Sequence, residues 1–410
     1  FLAGRAVGIT RDEALLEEVL KILFCVKDLP VTNLSKDSYK NAQAIRKRFA
    51  EVKENLKEFY STDEEILLDP ESISYVTEGL LKIIKSNSKD IDLVGDCYEI
   101  FIGNAIRGQD GQFFTPHVAV DFLVRAVNPK PDWKIIDTAC GAGGFLSYLY
   151  IFFKKNYTPA DVEHSLAGNI FGVEKDKYLT RLGRMHLNII SGGVTPNILN
   201  GDSLAMKGDK MLDNVKDASF DLVITNPPFG AKIMSADPTT MRKYELGHKW
   251  KEDSNGNMVN TMNLQANVPP QVLFMERYIK MLKKGGILAT VIPESLLSNR
   301  NYRHVISYLM AQGAIKAVVG MPESLFKTSG KGGTHTKTCL LIFKKGEKSK
   351  GEDIFLSEAE WCGHDSRANK IPHNDLPEIL GNYFEFCSSK NRKHSTLGYS
   401  ISHDEVDNYI

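Results

Sequence analysis

An amide, two prolines and an aromatic ring, Asn226-Pro227-Pro228-Phe229, follow the short apolar run Phe220 to Thr225. The run has the length and β-branched content of a buried strand. The prolines then stop it, because each removes an N–H donor and fixes φ. An amide side chain and a rigid turn thus meet at a strand's carboxyl end, the edge where open α/β sheets bind ligands. The chemistry this suits is methylation of a planar amino group. The lone pair of an exocyclic NH2 is delocalised into its ring, so the nitrogen is a poor nucleophile. Two acceptors pulling on its hydrogens, the Asn226 side-chain oxygen and the Pro227 carbonyl, favour a more tetrahedral and more nucleophilic nitrogen. Phe229 is then placed to stack on the ring.

A methyl donor needs its own site, and a second constellation supplies one. Trp133 to Leu146 reads as a strand, a glycine-rich turn and a helix, with Asp137 at the strand end and Gly141, Ala142, Gly143 and Gly144 in the turn. Glycines let a ligand approach the backbone, and the helix start offers N–H groups. The turn is not the dinucleotide G-x-G-x-x-G pattern. An acid here suits a cationic amine better than a phosphate, which favours a zwitterionic ligand, the methionine part of S-adenosylmethionine. Glu174 closes the next strand and is placed for ribose hydroxyls, by the logic that puts an acid on the ribose in dinucleotide folds. Asp202 closes a third strand and is available to an adenine amino group. Singly, Glu174 and Asp202 read equally well as helix caps; in this order they form a set.

These residues must be positioned by alternating strands and helices. Helical patterns cover Tyr178 to Ile190 and Val272 to Lys284, and strand patterns cover Ile287 to Ile292, Ile315 to Val319 and Thr338 to Phe343. Gly230 to Pro270 reads as a long polar connection. Residues before about 105 read as helices, at Asp12 to Phe24, Asn41 to Tyr60, Ile73 to Lys85 and Leu93 to Ile106. Gln112-Phe113-Phe114-Thr115-Pro116 reads as a turn and a helix start, with Thr115 as N-cap and Pro116 at the first helical position. The basic stretch Lys327 to His335 lacks the G-x-x-x-x-G-K-[ST] order of a phosphate loop and reads as a basic loop near the strand edge.

Composition bounds the answer. At 410 residues, 42% apolar and 25% charged, the chain has an ordinary globular makeup. Lys+Arg and Asp+Glu both number 51, so overall charge does not announce a nucleic-acid partner. Eight lysines against two glutamates between Lys316 and Lys350 make that segment basic. The six cysteines are scattered without a C-x-x-C pair, which predicts reduced cytoplasmic thiols. No histidine pattern has metal-ligand spacing, and no apolar run reaches membrane-spanning length.

In their order these segments resemble the amino-methylating DNA methyltransferases in which the cofactor motifs precede the catalytic one, and most of all the modification (M) subunit of type I restriction–modification systems. The resemblance covers roughly residues 10 to 345. It implies a Rossmann-like α/β sheet of seven strands, the last antiparallel, behind an N-terminal helical domain. It implies S-adenosylmethionine as cofactor, N6 of adenine in double-stranded DNA as target, and a target base flipped from the duplex. By position, Gln112 to Pro116 and Ala142 to Gly144 would contact cofactor, Glu174 its ribose, Asp202 its adenine, and Asn226 to Phe229 the target base. Phe229 departs from the tyrosine of many members, and stacking needs only the ring. The expected domains are 1–107, helical; 108–350, catalytic; and 351–410, an extension. The expected partners are a separate DNA-specificity subunit and a restriction subunit. Two other readings share the Asn-Pro-Pro turn or the fold: a methyltransferase acting on a protein glutamine, and a non-catalytic module that binds DNA or a partner.

Overall fold

A computed structural model describes residues 12–26, 35–86, 115–194, 197–208, 212, 215–229, 237–327, 336–346, 353–367, 369–388 and 397–409. The chain divides into two compact units, residues 1–107 with 188–193, and residues 108–187 with 194–410. The first contains the helices Asp12–Val26, Ser38–Asn55 and Pro70–Ser86. Asp37 caps the second by accepting from the Tyr39 and Lys40 amides, and the Asp69 carboxylate accepts from those of Glu71 and Ser72 at the start of the third. The sequence pattern carries the second helix to Tyr60, but it stops at Asn55. Phe59 and Tyr60 instead turn inward, where both rings meet Phe24 and Tyr60 meets Phe49 edge-on at 5.1 Å. Burial of two aromatic rings outweighs one more turn of helix. The expected helix over Leu93 to Ile106 lies outside the described residues.

The second unit contains the strands, in chain order β1 (Ile135–Asp137), β2 (Ile170–Glu174), β3 (Asn197–Asp202), β4 (Lys207–Gly208), β5 (Phe220–Thr225), β6 (His248–Glu252), β7 (Met258–Leu264), β8 (Leu282–Pro293), β9 (Gly313–Gly320), β10 (Thr338–Lys345), β11 (Asp353–Glu358), β12 (Cys362–His364), β13 (Lys370–Asn374) and β14 (Tyr399–Ser402). Ten of them form one sheet in the order β14-β11-β9-β10-β8-β5-β1-β2-β3-β4. Its middle, β3-β2-β1-β5-β8-β10-β9, is the seven-stranded arrangement with β10 antiparallel to both neighbours. β1 pairs in parallel with β2 and β5, β2 with β3, and β5 with β8. Strands covered by helices on both faces are apolar throughout, which is why Phe220, Leu222, Val223 and Ile224 are all sealed from solvent. Because these strands run together, Asp137, Glu174, Asp202 and Thr225 all lie at one edge.

One region differs from its sequence reading. Residues 230–270 read as a polar connection, yet the part from 237 onward folds into the helix Pro238–Met241, a 3-10 turn Glu245–Gly247 and the hairpin β6–β7. Met241, Tyr244 and Leu246 are buried in the main core. Three apolar residues in a charged stretch carry little periodicity, and their burial is decided by distant partners. The buried Glu276 carboxylate accepts from the Leu246 amide at 2.8 Å, and the Tyr244 hydroxyl donates to the Leu204 carbonyl at 2.7 Å. After residue 350 the sequence carries a strand signal at Asp353 to Leu356 and a helix signal at Asn374 to Phe386, and the structure has β11 alongside β9 in parallel and β14 at the sheet's edge. The helix Leu376–Ser388 covers them through Tyr383, whose ring meets Phe355 at 5.5 Å.

Candidate active site

The glycine turn leaves β1 along a tightly specified path. The Cys140 amide donates to the Val173 carbonyl at 3.1 Å, and the Gly143 amide donates to the Cys140 carbonyl at 2.8 Å. Gly141 and Gly143 have φ of 54° and 85°, in the left-handed region that favours glycine. Nothing lies within 4 Å of where a Gly141 side chain would begin, so its backbone is open to a ligand. Gly143 caps the helix Gly144–Asn156. Below the turn, His186 donates from Nδ1 to the Ala142 carbonyl at 2.9 Å, and the Ser203 hydroxyl donates to the Thr138 carbonyl at 2.6 Å. Neither residue carries a sequence signal; a lone histidine in an apolar helix pattern reads as core.

Three carboxylates surround this turn. Asp137 is 1% exposed, and its Oδ1 accepts from the Thr225 hydroxyl at 2.6 Å and from the Ala139 amide at 3.1 Å. Burial, aided by the nearby charge of Glu174, outweighs those hydrogen bonds and pushes its pKa up to about 7. Glu174 accepts from the Asp176 amide on Oε1 at 2.8 Å and from the Gly141 amide on Oε2 at 2.9 Å. Its carboxyl is also raised by burial, against the pull of those amides. Each oxygen keeps a second acceptor position. Asp202 accepts from the Leu204 and Ala205 amides on Oδ1, while Oδ2 takes the Lys175 ammonium at 2.8 Å. Burial pushes the Asp202 carboxyl upward, but Lys175 and the two amides outweigh it and hold it below the ordinary range. Acids at three successive strand ends beside an open glycine turn suit a ligand that is cationic at one end and rich in hydroxyl and amino groups along its length.

The Asn-Pro-Pro-Phe turn stands next to this set. Thr225, hydrogen-bonded to Asp137, immediately precedes Asn226. Among the described residues the Asn226 Oδ1 is enclosed without a hydrogen-bond partner. Such an acceptor is costly unless something else completes it. Pro227 is buried and Pro228 half-buried. Phe229 is buried and meets the ring of Phe326 edge-on, centroids 5.8 Å apart. Phe326 lies in a 3-10 turn after β9, in sequence nearly a hundred residues away, and nothing in its local pattern links it to Phe229.

The Gln112-Phe113-Phe114 part of the expected cofactor segment lies outside the described residues. Thr115 and Pro116 are described, and the cap falls one residue later than the sequence suggests. Pro116 is the capping residue, its carbonyl accepts from the Ala119 and Val120 amides, and the helix runs His117–Val127. The basic loop over 328–335 also lies outside the described residues, between the 3-10 turn and β10.

Comparison with known proteins identifies the family and the fold. The N-6 DNA methylase family model matches residues 89–409. The type I restriction enzyme EcoEI methylase subunit of Escherichia coli is 27% identical over 441 residues, covering 98% of this chain and 79% of its own length. The MpnII methylase subunit of Mycoplasma pneumoniae is 23% identical over 343 residues, covering 80% of this chain and 56% of its own length. Among solved structures, a chain from a type I R-M system studied for its complex assembly superposes with a TM-score of 0.65 at 21% identity, covering 97% of this chain and 85% of that one. A Listeria monocytogenes chain assigned to the class I S-adenosylmethionine-dependent methyltransferases superposes at 0.52 with 16% identity, covering 91% and 99%. The fold is that of S-adenosylmethionine-dependent methyltransferases.

Proposed function

The chain belongs to the N-6 DNA methylase family, and on that premise we propose that it transfers a methyl group from S-adenosylmethionine to N6 of an adenine in double-stranded DNA, as the modification subunit of a type I restriction–modification system. The observation that carries the reading is the Asn226 Oδ1, enclosed at the carboxyl end of β5 and without a hydrogen-bond partner among the described residues. An exocyclic amino group would complete it.

The cofactor, when bound, supplies an electrophilic methyl group on a sulfonium. The rest is positioning by this chain. Asp137 would face the cofactor's amine, and the raised carboxyl pKa fits a site waiting for a positive charge. Glu174 would accept from the ribose with its two spare positions, and Asp202 from the adenine amino group, with Lys175 displaced from Oδ2. Thr115 and Pro116, with Gln112 to Phe114, would border the same ligand. Asn226 Oδ1 and the Pro227 carbonyl would each take one hydrogen of the target N6, holding its lone pair out of the ring plane. The target base must leave the duplex, at a cost of a few kcal/mol. Stacking on Phe229 is worth about 1–3 kcal/mol.

Sequence choice calls for a module that reaches base edges in a groove. Between β10 and residue 409, the described elements are sheet strands, a hairpin and the helices that accompany them. That supports a separate specificity subunit as the reader, with a restriction subunit as a further partner. The test supplies duplex DNA, with and without candidate sites, and methyl-labelled S-adenosylmethionine to the chain alone and to the chain with its specificity partner. Mass spectrometry should find N6-methyladenine only at sites and only with the partner. The chain alone should bind weakly and lose affinity steeply with salt. Label on a protein glutamine, or site-specific methylation by the chain alone, would refute the reading.

A further inference from the structure

The hairpin β6–β7 presents a residue that neither the core nor the cofactor site accounts for. Met262 is 75% exposed and has φ of 61°. A non-glycine side chain in the left-handed region is unfavourable, and so is an apolar side chain held in water; both occur here at one position. The backbone shows how that conformation is kept. Trp250 pairs with Asn260 and His248 with Leu264, so Thr261, Met262 and Asn263 together stand opposite Lys249. The strand bulges outward there. The Met262 amide donates to the Asn260 side-chain oxygen at 2.8 Å, and the Thr261 hydroxyl donates to the Lys249 carbonyl at 2.8 Å. Bulges of this kind re-aim side chains beside active sites.

The bulge lies at the end of the hairpin away from its 253–257 turn, and the hairpin is held firmly on both sides of it. Trp250 donates from its indole to the Glu245 carbonyl at 3.1 Å, and Gln265 donates to the His248 carbonyl at 2.9 Å. Glu252 pairs with Arg303 at 3.2 Å, and the Trp250 ring lies 6.2 Å from that of His304. Those last contacts locate it. The helix Arg303–Gln312 begins beyond the carboxyl end of β8 and leads into β9. β9 runs in the same direction as β8, because β10 is antiparallel to both. Arg303 and His304 therefore stand at the carboxyl edge of the sheet. Asn226 ends β5 at that same edge, since β5 and β8 are parallel.

We propose that Met262 is a DNA wedge: it enters the base stack at the target site and occupies the space that the adenine leaves when it turns into the Asn226 site. Apolar side chains, methionine and leucine among them, unstack base steps in this way. Lys249, level with Met262 on the neighbouring strand, and Lys251, two residues further toward the turn, are both exposed and would meet phosphates beside the inserted residue. The proposal rests on the adenine-methylating reading above.

The experiment uses the chain assembled with its specificity partner. Met262→Asn tolerates the left-handed backbone but removes the apolar wedge, and Met262→Leu keeps an apolar one. On a fully paired duplex, Met262→Asn should slow single-turnover methylation by about tenfold, and Met262→Leu should stay within about threefold of wild type. With 2-aminopurine in place of the target adenine, the fluorescence rise on binding should shrink in Met262→Asn. Mispairing the target adenine, which loosens it in advance, should bring Met262→Asn back to the wild-type rate. Equal rates for Met262→Asn and wild type on the paired duplex overturn the proposal, as does a loss explained by failure to assemble with the partner. A wild-type complex that leaves adenine unmethylated overturns the function on which the proposal stands, an outcome distinguishable from the other two.

Discussion

The ionisation of Asp137 yields a test of both the fold and the cofactor site. An aspartate whose pKa moves from 3.8 to about 7 has shifted by roughly three units, or about 4 kcal/mol at the usual 1.36 kcal/mol per unit. At 1% exposure the group is not screened by solvent. The folded protein keeps its proton until about pH 7, whereas the unfolded chain releases it near pH 4. Asp137 thus contributes stability fully below pH 4, and that contribution is lost progressively as pH rises to about 7. A cationic amine at this position reverses the balance, because it favours the carboxylate. At pH 6 only about a tenth of the free protein has Asp137 ionised, so S-adenosylmethionine should bind about tenfold more weakly at pH 6 than at its plateau. Above about pH 8 the ligand's own amine loses its proton, and affinity should fall again. Calorimetric titration from pH 5.5 to 9 would trace both limbs. Asp137→Asn keeps an acceptor for the Thr225 hydroxyl and cannot ionise, so it should abolish the acid limb and hold affinity near its low-pH level. In urea unfolding the same variant should lose the fall in stability between pH 4 and 7. A wild-type affinity that is flat from pH 6 to 7.5, or an acid limb that persists in Asp137→Asn, would refute the placement of the amine at Asp137.

Other substitutions separate cofactor binding, chemistry and packing. Asn226→Ala should lower the single-turnover methylation rate by about 10²–10³, as expected for removal of a preorganised hydrogen bond, while calorimetric cofactor affinity stays near wild type. Glu174→Ala should weaken cofactor binding by about 1–3 kcal/mol through lost hydrogen bonds, and unchanged affinity would remove Glu174 from the site. Gly172→Ala would bring a new side-chain carbon within 2.8 Å of both Cys140 Sγ and Leu146 Cδ1. It should destabilise the protein by about 1–3 kcal/mol in urea unfolding, and a wild-type midpoint would show that the glycine turn has room to yield.

Much of the site is legible in the amino-acid sequence because its chemistry is carried by local patterns. Asn226 to Phe229 announce a strand end and a rigid turn through proline's missing donors and fixed φ. Asp137 and the glycines announce a strand, a turn and a helix, and Glu174 and Asp202 repeat the theme of an acid closing a strand. The alternation of these segments is enough to predict parallel strands with their carboxyl ends together. What a one-dimensional pattern cannot carry is which distant residues meet. Thr225 reaches Asp137 across 88 positions because β5 and β1 are neighbours in parallel. Phe326 finds Phe229 because the turn after β9 and the end of β5 come together, although their sequences share no periodicity. Tyr244 and Leu246 are buried in a stretch that reads as polar, because the partners that satisfy them, Leu204 and Glu276, belong to other elements. The exposure of Met262 is likewise set by a register shift between two strands. Propensity, capping and turn chemistry act between neighbours along the chain and so are written in the sequence. Burial, cross-sheet pairing and the electrostatics that raise Asp137 depend on what the assembled sheet brings alongside, and only the tertiary structure decides them.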